Sequence, residues 1–307
     1  MRMPIPRWRE RLPRAGVLLV ILFIVHVVLK IALFPRLANA PLVGDEASYL
    51  DGARALSNLV RDLSTFGPVN VSELQRSLVG SGWFMPGISI LLTPLFVVDP
   101  DASLAMIRGY LGVVSSLLLI LAVQSVRRVL GDLYAGVVLV SPGLVPMWLI
   151  FSYTAYGDLC AGLLILLFVT HLIEIIRQLR VGISPSWQQG VRLGLLATAA
   201  LYLRSSTSVL IIGMFIVVGA AALLMLRGRE RRRGVLHLIV AAVVLVAILL
   251  PWSVFASQTL GGRVVTTTSV PIVLANTFGE RDRICFGECD PGSTIWFNPL
   301  RYSREVA

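Results

Sequence analysis

Charge is scarce in this sequence. Asp, Glu, Lys and Arg make up 14% of its 307 residues, where a soluble domain averages roughly a quarter. So few charges cannot cover a water-facing surface, which excludes an ordinary soluble globular domain. Histidine is rarer still: His26, His171 and His237 fall in different apolar segments and share no ligand spacing, so they read as packing or helix-end residues. Cysteine is limited to three. Cys160 lies inside an apolar run and reads as a small packing residue. Cys285 and Cys289, in "RICFGECDPG", form a small-loop disulfide candidate; with no histidine nearby they make a poor metal set. The glycine runs form no phosphate loop. A formal net charge of +10 would suit nucleic acid. The arginines, however, stand at the ends of apolar runs, where topology determinants are placed, so no nucleic-acid partner is expected.

Long apolar runs are what the chain has instead. It is 56% hydrophobic with a mean hydropathy of +0.81, which predicts an all-α integral membrane protein. A run of about 20 residues crosses a bilayer. Spans are expected at 15–36, 103–125, 133–151, 159–176, 190–204, 207–226 and 235–252, the fifth and sixth short and divided by "RSSTS". The piece "FMPGISILLTPLFVV" at 84–98 is shorter and holds Pro86, Gly87 and Pro94, so it is expected to be interfacial or re-entrant. The basic start leads into a full span with no clear small-residue cleavage site, and no removed signal peptide is expected.

The positive-inside rule fits this set of spans. Residues 1–14, Arg127 and Arg128, "RQLR" at 177–180 and "RGRERRR" at 227–233 then share one face, which could also touch anionic lipid. The first outer loop, 37–102, carries most of the acids. The expected organisation is a cytoplasmic basic N-terminus (1–14), a transmembrane module (15–252) and an extracytoplasmic tail (253–307). That describes a multi-pass protein of the cytoplasmic (inner) membrane.

"PLVGDEASYLDGARAL" at 41–56 follows the first span and begins its helix with two adjacent carboxylates, Asp45 and Glu46. Taken alone, the segment reads most simply as a capped helix, since Asp is a favoured N-cap and first-turn acids suit the helix dipole. Its place at the membrane surface adds a second reading, because carboxylates there are costly to desolvate without a partner or a task. Asp158 in "SYTAYGDLCAG" and Arg204 in "LYLRSSTS" fall at the same expected face. Two acid positions and one cation would suit an acceptor hydroxyl, its base and a departing phosphate. Each also has a bland reading: Asp158 as a helix cap, Arg204 as a snorkelling side chain.

At this point the chain resembles the glycosyltransferase C superfamily, nearest its family-39-like branch of protein O-mannosyltransferases and aminoarabinose transferases. Five segments carry the likeness in order: "GDEASYLDGARAL", "WFMPGISIL", "SYTAYGDLCAGLLILL", "LYLRSSTSVLII" and "PWSVFASQTLGGRVVTTTSVPIVLAN". The resemblance implies transfer of a sugar from a polyprenyl-phosphate donor to a glycan, lipid or protein acceptor on the outer face. It implies Asp45 as catalytic base, Glu46 beside it orienting substrate or a divalent cation, and Asp158 as a second active-site acid. Tyr49, Arg204 and Arg263 are the implied substrate-binding residues. Where the family commonly has a basic residue before the Pro-Gly step, this chain has Phe84 and Met85; where it has an Arg after Pro-Trp, this chain has Phe255 and Ala256. Phosphate binding would then fall to Arg204 or Arg263. Relatives continue into further spans where this chain stops at "RYSREVA", so a short member, a truncated gene product or a fragment is expected. Two other classes remain: a transporter or flippase of lipid-linked substrates, and a non-catalytic membrane protein derived from the transferase fold.

Overall fold

The computed structural model describes residues 13–269, and every regular element among them is helical. Helices α1 (Pro13–Leu37), α5 (Leu104–Leu130), α8 (Asp158–Arg180), α10 (Ser208–Met225) and α11 (Gly228–Leu260) form the long members of a bundle. With the short 3₁₀ turn before α10, these five are long and apolar enough to cross a membrane. The other two expected crossings are shorter. Helix α9 (Trp187–Leu203) has 17 residues. The run 133–151 is two helices, α6 (Asp132–Leu144) and α7 (Pro146–Phe151). The break falls at Val145, whose backbone is extended. Pro146 causes it, because a proline disfavours helical backbone in the residue before it and itself fits the first turn of a new helix.

Between α1 and α5 lie α2 (Glu46–Ser64), the short α3 (Val71–Leu74) continuing into a π-turn (Gln75–Val79), and α4 (Gly87–Val98). Helix α4 is the apolar Pro-Gly piece. Gly87 at its start sits on the backbone of Tyr202 and Leu203, at the end of α9, so closely that a Cβ would collide with the Tyr202 carbonyl. Its other end is five residues from the start of α5. Both ends of α4 therefore lie at one end of the bundle, and α2 packs across it through Tyr49, Leu50 and Ala53 on Ile88, Leu92 and Phe96. At 12 residues α4 is shorter than the five helices long enough to cross a membrane.

The centre of the bundle is α8. Within its apolar window 61% of residues are buried inside the protein, against 17% for α1, α10 and α11, whose outward faces carry exposed residues such as Val209 and Leu224. Helices α9 and α11 are the tightest pair. Gly190 and Gly194, one turn apart, face the α11 backbone at His237 and Ala241 with no room for a side chain, the small-xxx-small contact that lets helices in lipid approach closely.

The two ends of the bundle differ in chemistry. At one end the C-termini of α5 and α8 meet through Arg177, which donates to the Val129 carbonyl at 2.7 Å, and Ser184 donates to Glu230 at the start of α11. Arg127, Arg128, Arg180 and the 227–233 cluster belong to this end. At the other end the chain after α1, the starts of α5 and α8, and the end of α9 are joined by the contacts described next.

Candidate functional site

Adjacent carboxylates at the start of α2 have opposite fates. Glu46 is 1% exposed and forms a two-pronged ion pair with Arg108 of α5, Nη2 to Oε2 at 2.9 Å and Nη1 to Oε1. Its Oε1 also accepts from the Ala155 amide at 2.7 Å, and Oε2 from the Val43 amide at 3.0 Å. Arg108 donates further to the Tyr153 carbonyl at 3.1 Å. Burial alone would raise the Glu46 pKa; Arg108 and the two amides outweigh it and hold the carboxyl below its ordinary value. Both oxygens are occupied by the protein. Glu46 therefore ties three segments together, and the substrate- or cation-orienting role the resemblance implies has no free oxygen to act through.

Asp45 holds the N-cap position of α2, yet its side chain makes no capping bond. That side chain is exposed and has no hydrogen bond to another described residue. The capping reading of this residue therefore lacks its defining contact, and an open carboxylate is left at the bundle end.

Asp158 begins α8, and its Oδ2 accepts from Arg204 Nη1 at 2.9 Å. Glycine makes this pair meet. Gly157 presses on the Leu203 carbonyl, where any Cβ would clash, so the residue after each is brought side by side. Arg204 is half exposed, and a guanidinium has five N–H donors. Most of its donors are therefore available to an outside group.

Tyr49 connects the two acid positions. Its ring is buried against Phe84, with centroids 5.1 Å apart. Among the described residues the Tyr49 hydroxyl has no hydrogen-bond partner. Burial of the ring and then the charge of Asp45 push its pKa up to about 12, while Arg204 and Asp158 also act on it. One hydroxyl thus feels Asp45, Arg204 and Asp158 together. It stays protonated near neutral pH and can donate. Tyr156 joins the same neighbourhood: its hydroxyl donates to the Val43 carbonyl at 2.6 Å, and it lies over Gly44, whose positive φ of 57° turns the chain into α2.

Arg263 is exposed in the turn after α11 and forms no hydrogen bond or ion pair with these described residues. That turn folds back on the bundle end instead: Trp252 donates to the Thr266 carbonyl, and the Thr268 amide to the Gly82 carbonyl. Cys285 and Cys289 lie outside the described residues. Among the described residues no three of His, Cys, Asp and Glu are grouped to hold a metal. Arg108 and Tyr156 were missed in the sequence. Arg108 carried a usable signal, being an arginine at the acid-rich end, where the charge pattern calls for few. Tyr156 carried none.

What this end of the bundle offers is an open acceptor, Asp45, and a guanidinium with donors to spare, whose charges both act on a neutral phenol. In comparisons with known proteins, no family model, no curated protein and no solved structure matches this chain.

Proposed function

We propose that this protein is a membrane glycosyltransferase of the polyprenyl-phosphate-dependent type, working at the extracytoplasmic face. The observation that carries the reading is the split between Asp45 and Glu46: the carboxylate whose charge acts on Tyr49 together with those of Asp158 and Arg204 is the open one, while its neighbour is locked in a buried pair. Support for the orientation is the separation of charge, acids at the site end and arginine clusters at the other, read with the positive-inside rule. Counting α9 and the α6–α7 pair with the five long helices gives seven crossings and an N-terminus in the cytoplasm.

In this mechanism the acceptor O–H lies against Asp45 and attacks the anomeric carbon. The bond from that carbon to the phosphate oxygen breaks, polyprenyl phosphate leaves with the electron pair, and Asp45 takes the acceptor proton. A single displacement inverts configuration. Arg204 meets the leaving phosphate and Tyr49 donates to the sugar or phosphate. Asp158 keeps the guanidinium in place.

The experiment is release of polyprenyl phosphate from a panel of polyprenyl-phosphate sugars by membranes carrying the full chain. Asp45→Asn is expected to lower release by roughly 10²–10⁴-fold, the usual contribution of a general base, with unchanged membrane insertion. Turnover like wild type in that variant removes Asp45 from the mechanism. No release by the wild type from any donor rejects the transferase reading. One observation favours a transporter of lipid-linked substrates: Lys30 and His26 are ionisable groups buried within α1. Translocation of a fluorescent polyprenyl-phosphate sugar in proteoliposomes, without release, would select it.

A further inference from the structure

Lys30 is the only lysine in the chain, and it is placed where a charge is most costly. It lies seven residues before the end of α1, or ~10 Å along the helix at the standard rise, and is 5% exposed. No carboxylate among the described residues touches it. Its three ammonium donors are all taken, by the Gly112 carbonyl at 2.5 Å, Ser115 Oγ at 3.0 Å and Ser116 Oγ at 3.1 Å, and its Nζ sits 4.7 Å from the centroid of the Tyr153 ring. Tyr153 returns the contact: its hydroxyl donates to the Lys30 carbonyl at 2.7 Å. The ring rests on Gly112, where an added Cβ would lie 2.5 Å from Cε1.

Tyr153 also begins the chain of bonds that leads to the site. Its carbonyl accepts from Arg108, Arg108 holds Glu46, and Glu46 accepts the amides of Ala155 and Val43 on either side of the site loops. Ser115 adds a parallel link to the Ser152 carbonyl at 3.0 Å. We infer that Lys30 is a positioning residue: an intramembrane ammonium, solvated entirely by the protein, that seats Tyr153 and thereby fixes the 152–157 loop and the 41–46 loop bearing Asp45. An apolar residue would fill the same space without the energetic burden of a charge in the membrane. Only a multi-donor cation can grip a carbonyl, two hydroxyls and a ring face at once. The benefit of this grip to turnover rests on the function proposed above; the grip itself does not.

The test is amide hydrogen exchange of the full chain in lipid nanodiscs, comparing wild type with Lys30→Met, which keeps the volume and removes the donors. Amides in 42–46 and 152–157 are expected to exchange about tenfold faster, while those in α9 and α11 near Gly194 and Ala241 keep wild-type rates. Unchanged exchange in both loops overturns the inference, and so does an equal acceleration everywhere, which would make Lys30 a general stability residue. Should Lys30→Met fail to fold, Tyr153→Phe keeps the ring and deletes one bond. It is expected to speed exchange in the same two loops only, and no change there overturns the inference as well. If the wild type turns over a donor, Lys30→Met lowers kcat with KM unchanged, since Lys30 touches no substrate. Loss of the exchange effect and loss of turnover are thus read separately.

Discussion

Glu46 and Asp45 share a charge, a helix end and an end of the bundle, and differ in what surrounds them. For Glu46 the surroundings are an arginine and two amides, all buried. Removing one partner of such a pair leaves an uncompensated charge inside the protein and costs about 3–5 kcal/mol. Arg108→Ala and Glu46→Gln are therefore each expected to lower the thermal stability of the detergent-solubilised protein sharply, the latter because it leaves the Arg108 charge unpaired and sets an N–H₂ group against N–H donors; scanning calorimetry would read both. The pair also predicts an acid limit. The folded carboxyl titrates below its ordinary value of 4.5, so its contribution to stability is fully present above about that pH. It is lost as pH falls through the lowered folded value. A melting temperature whose acid-side fall is the same in Glu46→Gln as in wild type would refute this. From the sequence, both acids looked alike. Their difference comes from Arg108 and Ala155, residues 62 and 109 positions away from Glu46, and no local pattern reports such partners.

At the scale of elements, close approach depends on glycine. Gly194 faces the Ala241 carbonyl at 2.5 Å from where a Cβ would stand, with Val244 at 2.8 Å, whereas Gly213 on α10 has nothing within 4 Å. Gly194→Val is thus expected to destabilise through forced separation of α9 and α11, by about 1–3 kcal/mol or more. Gly213→Ala is expected to be neutral or stabilising, by up to about 1 kcal/mol of helix propensity. Detergent melting curves of the two variants, moving in the same direction and by the same amount, would contradict this packing. Hydropathy located nearly all of these helices. The expected span 159–176 lies inside α8, 103–125 lies inside α5 but for its first residue, and 190–204 nearly coincides with α9. The α6–α7 break was not anticipated, although Pro146 stood in plain view, because an apolar run reads as continuous whether one helix or two fill it. The shortness of helix α4 was legible for the opposite reason: Pro86 and Gly87 mark where its apolar run begins to form a helix.

For the molecule as a whole, the separation of acids from arginines predicts a topology that labelling can check. On a chain with Cys285 and Cys289 changed to serine, a cysteine at Ala47 is expected to react with a membrane-impermeant maleimide in intact cells. One at Gly228 is expected to react only after lysis. Labelling of residue 228 but not 47 would invert the assignment and with it the extracytoplasmic site. The sequence by itself determined that this is a helical membrane protein and where its apolar runs lie, because length and hydropathy are local properties that the bilayer reads directly. It also pointed to Asp45, Asp158, Tyr49 and Arg204, through type and placement at helix ends. Only the tertiary structure decided that Glu46 is buried and Asp45 open, that Arg204 is held by Asp158 while Arg263 stands apart, and that Lys30 is enclosed by α5 and Tyr153. Those outcomes depend on which residues from distant segments arrive at the same place, and the energy of a charge in a membrane protein is set by its neighbours rather than by its own identity.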